Sequence, residues 1–162
     1  MQVFKFAAVV LAVALVGGCG SKFKTYNGPE VTRVIVQKTD RKLYLMHNDR
    51  VLRSYPVELG SAPAGHKQFE GDGKTPEGVY RIDRRNPDSA FHLSLGISYP
   101  NGHDIAVARA ADKSPGGDIF IHGRPNGNPR DRRKDWTEGC ISLKNRDIEW
   151  VYAMVGDGTR WC

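Results

Sequence analysis

Two side chains have the types and the spacing of a nucleophile and its base. His122 follows the apolar run Ile119-Phe120-Ile121 and precedes Gly123; Cys140 stands 18 positions later in Trp136-Thr137-Glu138-Gly139-Cys140-Ile141-Ser142-Leu143. A free thiol, with a pKa of about 8.5, is mostly protonated at neutral pH, and a neighbouring imidazole makes it a usable nucleophile. Gly139 lets a substrate approach the backbone and leaves N–H groups for a developing oxyanion. A buried cysteine is usually inert packing. What sets Cys140 apart is a histidine at a strand end and glycines beside both residues. His47, His66, His92 and His103 show neither His-x-x-x-His nor Cys-x-x-Cys spacing, so no metal and no cofactor are expected. Gly71 and Gly73 before Lys74-Thr75 do not make a phosphate loop, because the Gly-x-x-x-x-Gly spacing is missing and Pro76 opposes the helix that must follow.

The scaffold for this pair reads as mainly β. Eighteen glycines and nine prolines in 162 residues favour short strands and turns over a helical bundle, and the length allows one domain. Arg33–Lys38 and Lys42–Met46 flank the polar turn Thr39-Asp40-Arg41, and His47-Asn48-Asp49-Arg50 leads to a third strand over Val51–Leu59, giving an antiparallel meander. Gly60–Gly78, with few apolar residues, reads as an excursion outside the core. Strand patterning resumes at Val79–Ile82 and Phe91–Ser98, and Ile119–Ile121 reads as a buried strand. A short helix is expected over Asp104–Ala111. The clearest helix starts near Asn145, with Ile148, Val151, Tyr152 and Val155 on one face, Asn145 as N-cap and Gly156 as stop. The fold expected is a mixed sheet or β-sandwich with one or two short helices.

The pattern His-Gly, 13 residues, then Thr-x-Gly-Cys-Ile resembles the signature of the YkuD-type L,D-transpeptidases, which act on peptidoglycan stem peptides. Upstream, Gly71-Asp72-Gly73-Lys74-Thr75-Pro76-Glu77-Gly78 is similar to that family's Thr-Pro-x-Gly segment. Ser98-Tyr99-Pro100-Asn101 and Ser114-Pro115-Gly116-Gly117-Asp118-Ile119 are similar to its next two blocks, so the resemblance covers about residues 31–159. It implies the catalytic fold of that family and a role for each matching residue. Cys140 would attack the carbonyl between the third and fourth residues of a tetrapeptide stem, expelling D-alanine and leaving a thioester. His122 would be the base, and the Gly123 carbonyl would hold its tautomer. The amides of Gly139 and Cys140 would form part of the oxyanion hole, and Trp136 and Thr137 would shape the cleft. Glu138 stands where the family often has histidine, and Ser142 where it often has arginine or asparagine; both are expected at the substrate. The product would be a 3,3 crosslink or a protein attached to the wall. The alternatives are hydrolysis at the same site, as a carboxypeptidase or an amidase, and an idle wall-binding module, against which the intact Cys140 and His122 count.

The amino terminus reads as an address. Fourteen of the first 18 residues are apolar, but the unbroken run Phe6–Val16 is too short to span a bilayer, so it reads as a signal peptide. Val16-Gly17-Gly18-Cys19 resembles a bacterial lipobox, which implies acylation of Cys19, a membrane anchor and a short tether. Residues 1–18 are therefore expected to be leader, 19–30 a lipidated tether and 31–162 the catalytic domain. The absence of Asp beside Cys19 implies the outer membrane, facing the periplasm. Removing the leader leaves 23 basic against 18 acidic side chains. No nucleic-acid-binding pattern accompanies that excess, and the cluster Arg130–Lys134 reads as a solvated loop; the partners expected are anionic lipid and cell-wall polymer. Cys162 paired with Cys140 would disable the nucleophile, so it is read as free or intermolecularly paired.

Overall fold

A computed structural model describes residues 20–131 and 133–162; the expected signal peptide and Cys19 lie outside the described residues. Eight strands form one mixed sheet, in the order β3-β2-β1-β8-β4-β5-β6-β7. The strands are β1 (Arg33–Gln37), β2 (Lys42–His47), β3 (Arg50–Pro56), β4 (Tyr80–Asn86), β5 (Ser94–Ile97), β6 (Phe120–His122), β7 (Ile141–Ser142) and β8 (Arg160–Trp161). The helices are α1 (Gly102–Ala110) and α2 (Asn145–Met154). The mainly β reading with two short helices thus holds. Among the described residues no helix is long and apolar enough to cross a membrane.

The meander β1-β2-β3 forms where alternation predicts it: Val34, Leu43 and Leu45 are fully buried, and the two turns use Arg41 and Asn48 at positive φ. β3 is shorter than expected, because the chain leaves it at Pro56. Val57 still bonds to the Arg41 carbonyl, but Glu58 then pairs with Ser142 of β7, and Gly60 bridges to Thr137. This segment joins the two ends of the strand order of the single mixed sheet. β8, only two residues long, fills the centre, parallel to β1 and antiparallel to β4, with Trp161 in the core.

Two connections differ from expectation. Residues 60–78 are more than an excursion, since Thr75 is fully buried and accepts a bond from the Gly60 amide, and Lys67 is buried against Asp72 at 3.0 Å. Asp72 also accepts the amides of Gln68, Phe69 and Lys74, so one carboxylate holds the loop in shape. Residues 20–30 are not a bare tether. Lys22 donates to the Pro87 carbonyl at 2.6 Å, Lys24 pairs with Glu149 of α2 at 3.0 Å, and Tyr26 packs on the core.

Each helix is placed by its first turn. Asn101 caps α1 through a capping box with Asp104, whose buried carboxylate also accepts the Tyr80 hydroxyl at 2.9 Å. The N-cap of α2 is Lys144, without a side-chain bond, and Asn145 is the first helical residue. The expected capping by Asn145 is thereby corrected: its Oδ1 accepts the Arg124 amide at 2.7 Å instead.

The loop and the nucleophile segment meet backbone to backbone. A Cβ on Gly60 would lie 2.1 Å from the Gly73 oxygen and 3.1 Å from the Gly139 Cα. Gly60→Ala is therefore expected to lower stability by about 1–3 kcal/mol, the range for an overpacked site, in urea denaturation, and to change the alkylation rate of Cys140 in the folded protein.

Candidate active site

Parallel pairing of β6 with β7 sets Ile121 opposite Ile141 and His122 opposite Ser142. Because side chains alternate along a strand, Ile121 and Ile141 point into the core while Phe120, His122 and Cys140 share the other face. His122 and Cys140 line one cleft of about 440 Å³, together with Phe91, Trp136, Thr137 and Glu138; Asp118 and Phe120 close the side nearest the thiol.

The His122 ring is fixed on three sides. Its Nδ1 lies 2.7 Å from the Gly123 oxygen, and since a carbonyl only accepts, the proton sits on Nδ1 and the Nε2 lone pair is left as the base. Phe91 lies tilted over the ring at 4.5 Å between centroids, and Trp136 meets it edge-on at 5.8 Å. Burial pushes the imidazole down to about 4; the Gly123 bond opposes that shift and the Arg124 charge adds to it. The ring is therefore neutral at neutral pH.

The Cys140 Sγ accepts from the Phe120 amide at 3.4 Å and faces the Asp118 carbonyl at 3.6 Å. Burial raises its pKa, while the Phe120 N–H and the Lys67 charge pull the other way. Thiol and imidazole are thus both driven toward their neutral forms.

The other expected site residues divide. Trp136 and Thr137 line the cleft, and Glu138 is exposed at its wall. The Thr137 hydroxyl donates to the Cys140 carbonyl at 2.7 Å and accepts the Gly139 amide at 3.2 Å. That occupies one half of the expected oxyanion pair; the Cys140 N–H has no protein acceptor among the described residues. Gly139 is needed for a different reason, with φ at +123° and room for only hydrogen against the Lys74 oxygen. Ser142 does not reach the cleft. It is fully buried, with its Oγ 3.4 Å from the Gly123 oxygen, so its side chain stands beneath the carbonyl that orients the base. Cys140 and Cys162 are both free thiols.

Several residues that hold the site carry no motif. Phe91 stands among apolar strand residues, and nothing in its neighbourhood marks it as the cover of the catalytic ring. Gly123, by contrast part of the His-Gly pattern, fits only as glycine, since a Cβ would meet the Asn145 Oδ1 at 2.7 Å and the Phe91 oxygen at 2.8 Å. Asp135 binds Arg41 through Nε and Nη2 and accepts the Leu59 amide, and its own amide donates to Glu58. Burial works against the Asp135 charge, but Arg41 and the Leu59 amide keep its carboxyl below the ordinary range. This brace ties the loop between base and nucleophile to the β1–β2 turn. In the Arg130–Lys134 cluster, Asp131 is buried and binds the exposed Arg133 at 2.7 Å.

With this geometry in view, the comparisons with known proteins define the class. Residues 31–161 match the family model described as YkuD, L,D-transpeptidase catalytic domain, and the chain belongs to that family. It is 27% identical over 139 residues to the protein of Escherichia coli K12 named "Putative L,D-transpeptidase YafK", covering 83% of this chain and 50% of that one. Among solved structures it is similar to the helical cell shape determining protein Pgp2 of Campylobacter jejuni, with a TM-score of 0.63, 27% identity and coverage of 84% and 48%. It also shares the fold of the LD transpeptidase LdtMt1 in complex with imipenem, with a TM-score of 0.52, 16% identity and coverage of 82% and 58%. The chain spans about half the length of the curated relatives it matches first.

The buried His122 links stability to pH. The unfolded ring takes a proton near 6.5 and the folded one near 4, so between these values only the unfolded chain is protonated and stability falls as the pH drops through that window. The loss attributable to this residue is about 3 kcal/mol. His122→Gln is expected to flatten the dependence of urea midpoint on pH between 6.5 and 4; an unchanged slope would place the proton uptake elsewhere.

Proposed function

We propose that the chain is a cysteine L,D-transpeptidase acting on peptidoglycan tetrapeptide stems through a thioester on Cys140. The observation that carries this reading is the placement of the thiol and the imidazole on one face of β6 and β7, lining one cleft, with Nδ1 held by Gly123.

Each step follows from the groups present. Nε2 of His122 takes the thiol proton as Sγ adds to the carbonyl of the third stem residue, and the Cys140 N–H meets the negative oxygen. The bond to the fourth residue breaks, and the imidazolium returns its proton to the departing D-alanine amine. An acceptor amine, from diaminopimelate in a second stem or from a protein, then attacks the thioester, gives its proton to His122 and frees the thiol. The exposed Glu138 carboxylate at the cleft wall favours a cationic acceptor over water. A part in cell shape, the property named for the Campylobacter relative, fits this chemistry, because crosslinks set the form of the wall.

We place the enzyme at the outer membrane, facing the periplasm, held by acyl chains on Cys19. The reading rests on Val16-Gly17-Gly18-Cys19 and on a described chain that docks on the domain from Lys22 onward.

Two experiments test these readings. The chain carrying Cys19→Ser, incubated with disaccharide tetrapeptide and followed by mass spectrometry, is expected to yield muropeptide dimers, and Cys140→Ala to lose at least about 10³-fold in rate. Tripeptide alone would replace transpeptidation by hydrolysis, and no turnover with retained binding would leave a wall-binding module. In cells, Cys19→Ser is expected to abolish incorporation of labelled fatty acid into the protein; continued labelling would overturn the anchor.

A further inference from the structure

The strand registers align one continuous row across the sheet. Val51 on β3 stands opposite Met46 on β2, Met46 opposite Arg33 on β1, Arg33 opposite Arg160 on β8, and Arg160 opposite Arg81 on β4. Val34, Trp161, Tyr80 and Ile82, the sequence neighbours of the three arginines, are core residues, so the pleat turns Arg33, Arg160 and Arg81 outward. Three guanidinium groups therefore lie directly across from one another on strands spaced about 4.8 Å, an arrangement that weakens a sheet.

Little on the protein offsets this. Arg33 has the fully exposed Asp49 at 3.9 Å and the Asn48 carbonyl at 3.4 Å, and its Nε is buried without an acceptor. Arg81 donates one bond to the Gly158 carbonyl at 3.2 Å. Arg160 makes no side-chain hydrogen bond or ion pair among the described residues, and it lines three adjoining clefts, one with Arg33, one with Arg81 and one with Arg81 and Arg85. Of the acidic side chains nearby, Asp157 is turned to Arg85 at 3.7 Å rather than to the row. Val51 is 50% exposed at one end of the row, and Val79, two residues before Arg81 and on the same face, is 53% exposed.

We propose that this face docks on an anionic bilayer, with Arg33, Arg160 and Arg81 against headgroup phosphates and Val51 and Val79 at the boundary with the acyl chains. Charge complementarity selects an anionic partner, and a row spread over three strands and three open clefts, with apolar residues at its flanks, matches an extended surface rather than a single small ligand. The stretch Phe6–Val16, read as an export leader, would route the chain to the cell envelope, where an anionic bilayer is a surface at hand. Neither the thioester chemistry nor acylation of Cys19 is needed for this docking, and none of the three arginines lines the Cys140 cleft.

The test is flotation of the full chain carrying Cys19→Ser with vesicles of phosphatidylcholine alone or mixed with phosphatidylglycerol. The leader contributes to both alike, so the ratio of the two affinities reads the arginines. A preference for the anionic vesicles of at least about tenfold at low salt is expected, lost at high salt and lost in the combined Arg33→Gln, Arg81→Gln and Arg160→Gln variant. Arg160→Gln alone, at an exposed side chain without a partner, is expected to lower the ratio about fivefold with no fall in melting temperature, which keeps the test decisive if the triple variant does not fold. A control with Arg109→Gln, Arg130→Gln and Lys134→Gln removes equal charge and is expected to keep the preference. Equal binding to both vesicles, an equal loss in the control, or arginine-dependent binding to isolated peptidoglycan sacculi without binding to vesicles would overturn the proposal.

Discussion

The parallel register of β6 against β7 is the constraint on which the rest of this molecule depends. A slip of one residue in either strand would send His122 or Cys140 into the core and bring Ile121 or Ile141 out. Parallel neighbours cannot be joined by a tight turn, so residues 123–140 must make a long return, and that return has little regular structure of its own. Its shape is imposed from outside. Asp135 is held by Arg41 and Leu59, Thr137 lies against Gly60, and the Arg124 amide is held by Asn145. Gly139, Gly60 and Gly73 leave no side chain between three backbone segments. The register is thus protected by contacts that are individually modest and lie on four separate parts of the chain.

The same closeness sets the charge state of the site. Phe91, Trp136 and the core strip water from the imidazole, and burial does the same to the thiol, so both groups are driven toward their neutral forms. A stored thiolate would have exposed a strong nucleophile in the absence of substrate. Here the Gly123 carbonyl selects the tautomer, and in the proposed reaction sulfur would gain its reactivity as the proton leaves for Nε2. The Ser142 hydroxyl beneath that carbonyl and the glycine at position 123 both serve the orientation of one ring.

Much of this was legible in the residues, for physical reasons that also mark where legibility ended. Val34, Leu43 and Leu45 stand in short β-rich runs bounded by polar turns, and Ile121 in one bounded by glycines, and patterning of that kind survives in the sequence. The pair His122 and Cys140 is carried by reactive side-chain types at a spacing that few other demands would produce. Two residues of β8 hold no period, so its place at the centre of the sheet could not be read. Asn145 offers the same Oδ1 acceptor whether it caps its own helix or holds the Arg124 amide of a distant loop, and local sequence favoured the former. Ser142 stands two residues from the nucleophile and on its face of the strand, yet depth rather than direction keeps it from the cleft.

β8 carries one more consequence. Between β1 and β4 the hydrogen-bonded sheet is continuous through Arg160 and Trp161, helped by backbone bonds of Gly158, Thr159 and Cys162, and the two strand residues pair with residues more than 120 and about 80 positions earlier in the chain. The meander can assemble from local contacts as it emerges from the ribosome, but the sheet acquires its middle last. Contacts of such long sequence separation are entropically costly to close and slow to form. The order of synthesis therefore leaves β1 and β4 without a strand between them until Arg160 and Trp161 arrive, although Glu58 and Gly60 can already meet Ser142 and Thr137.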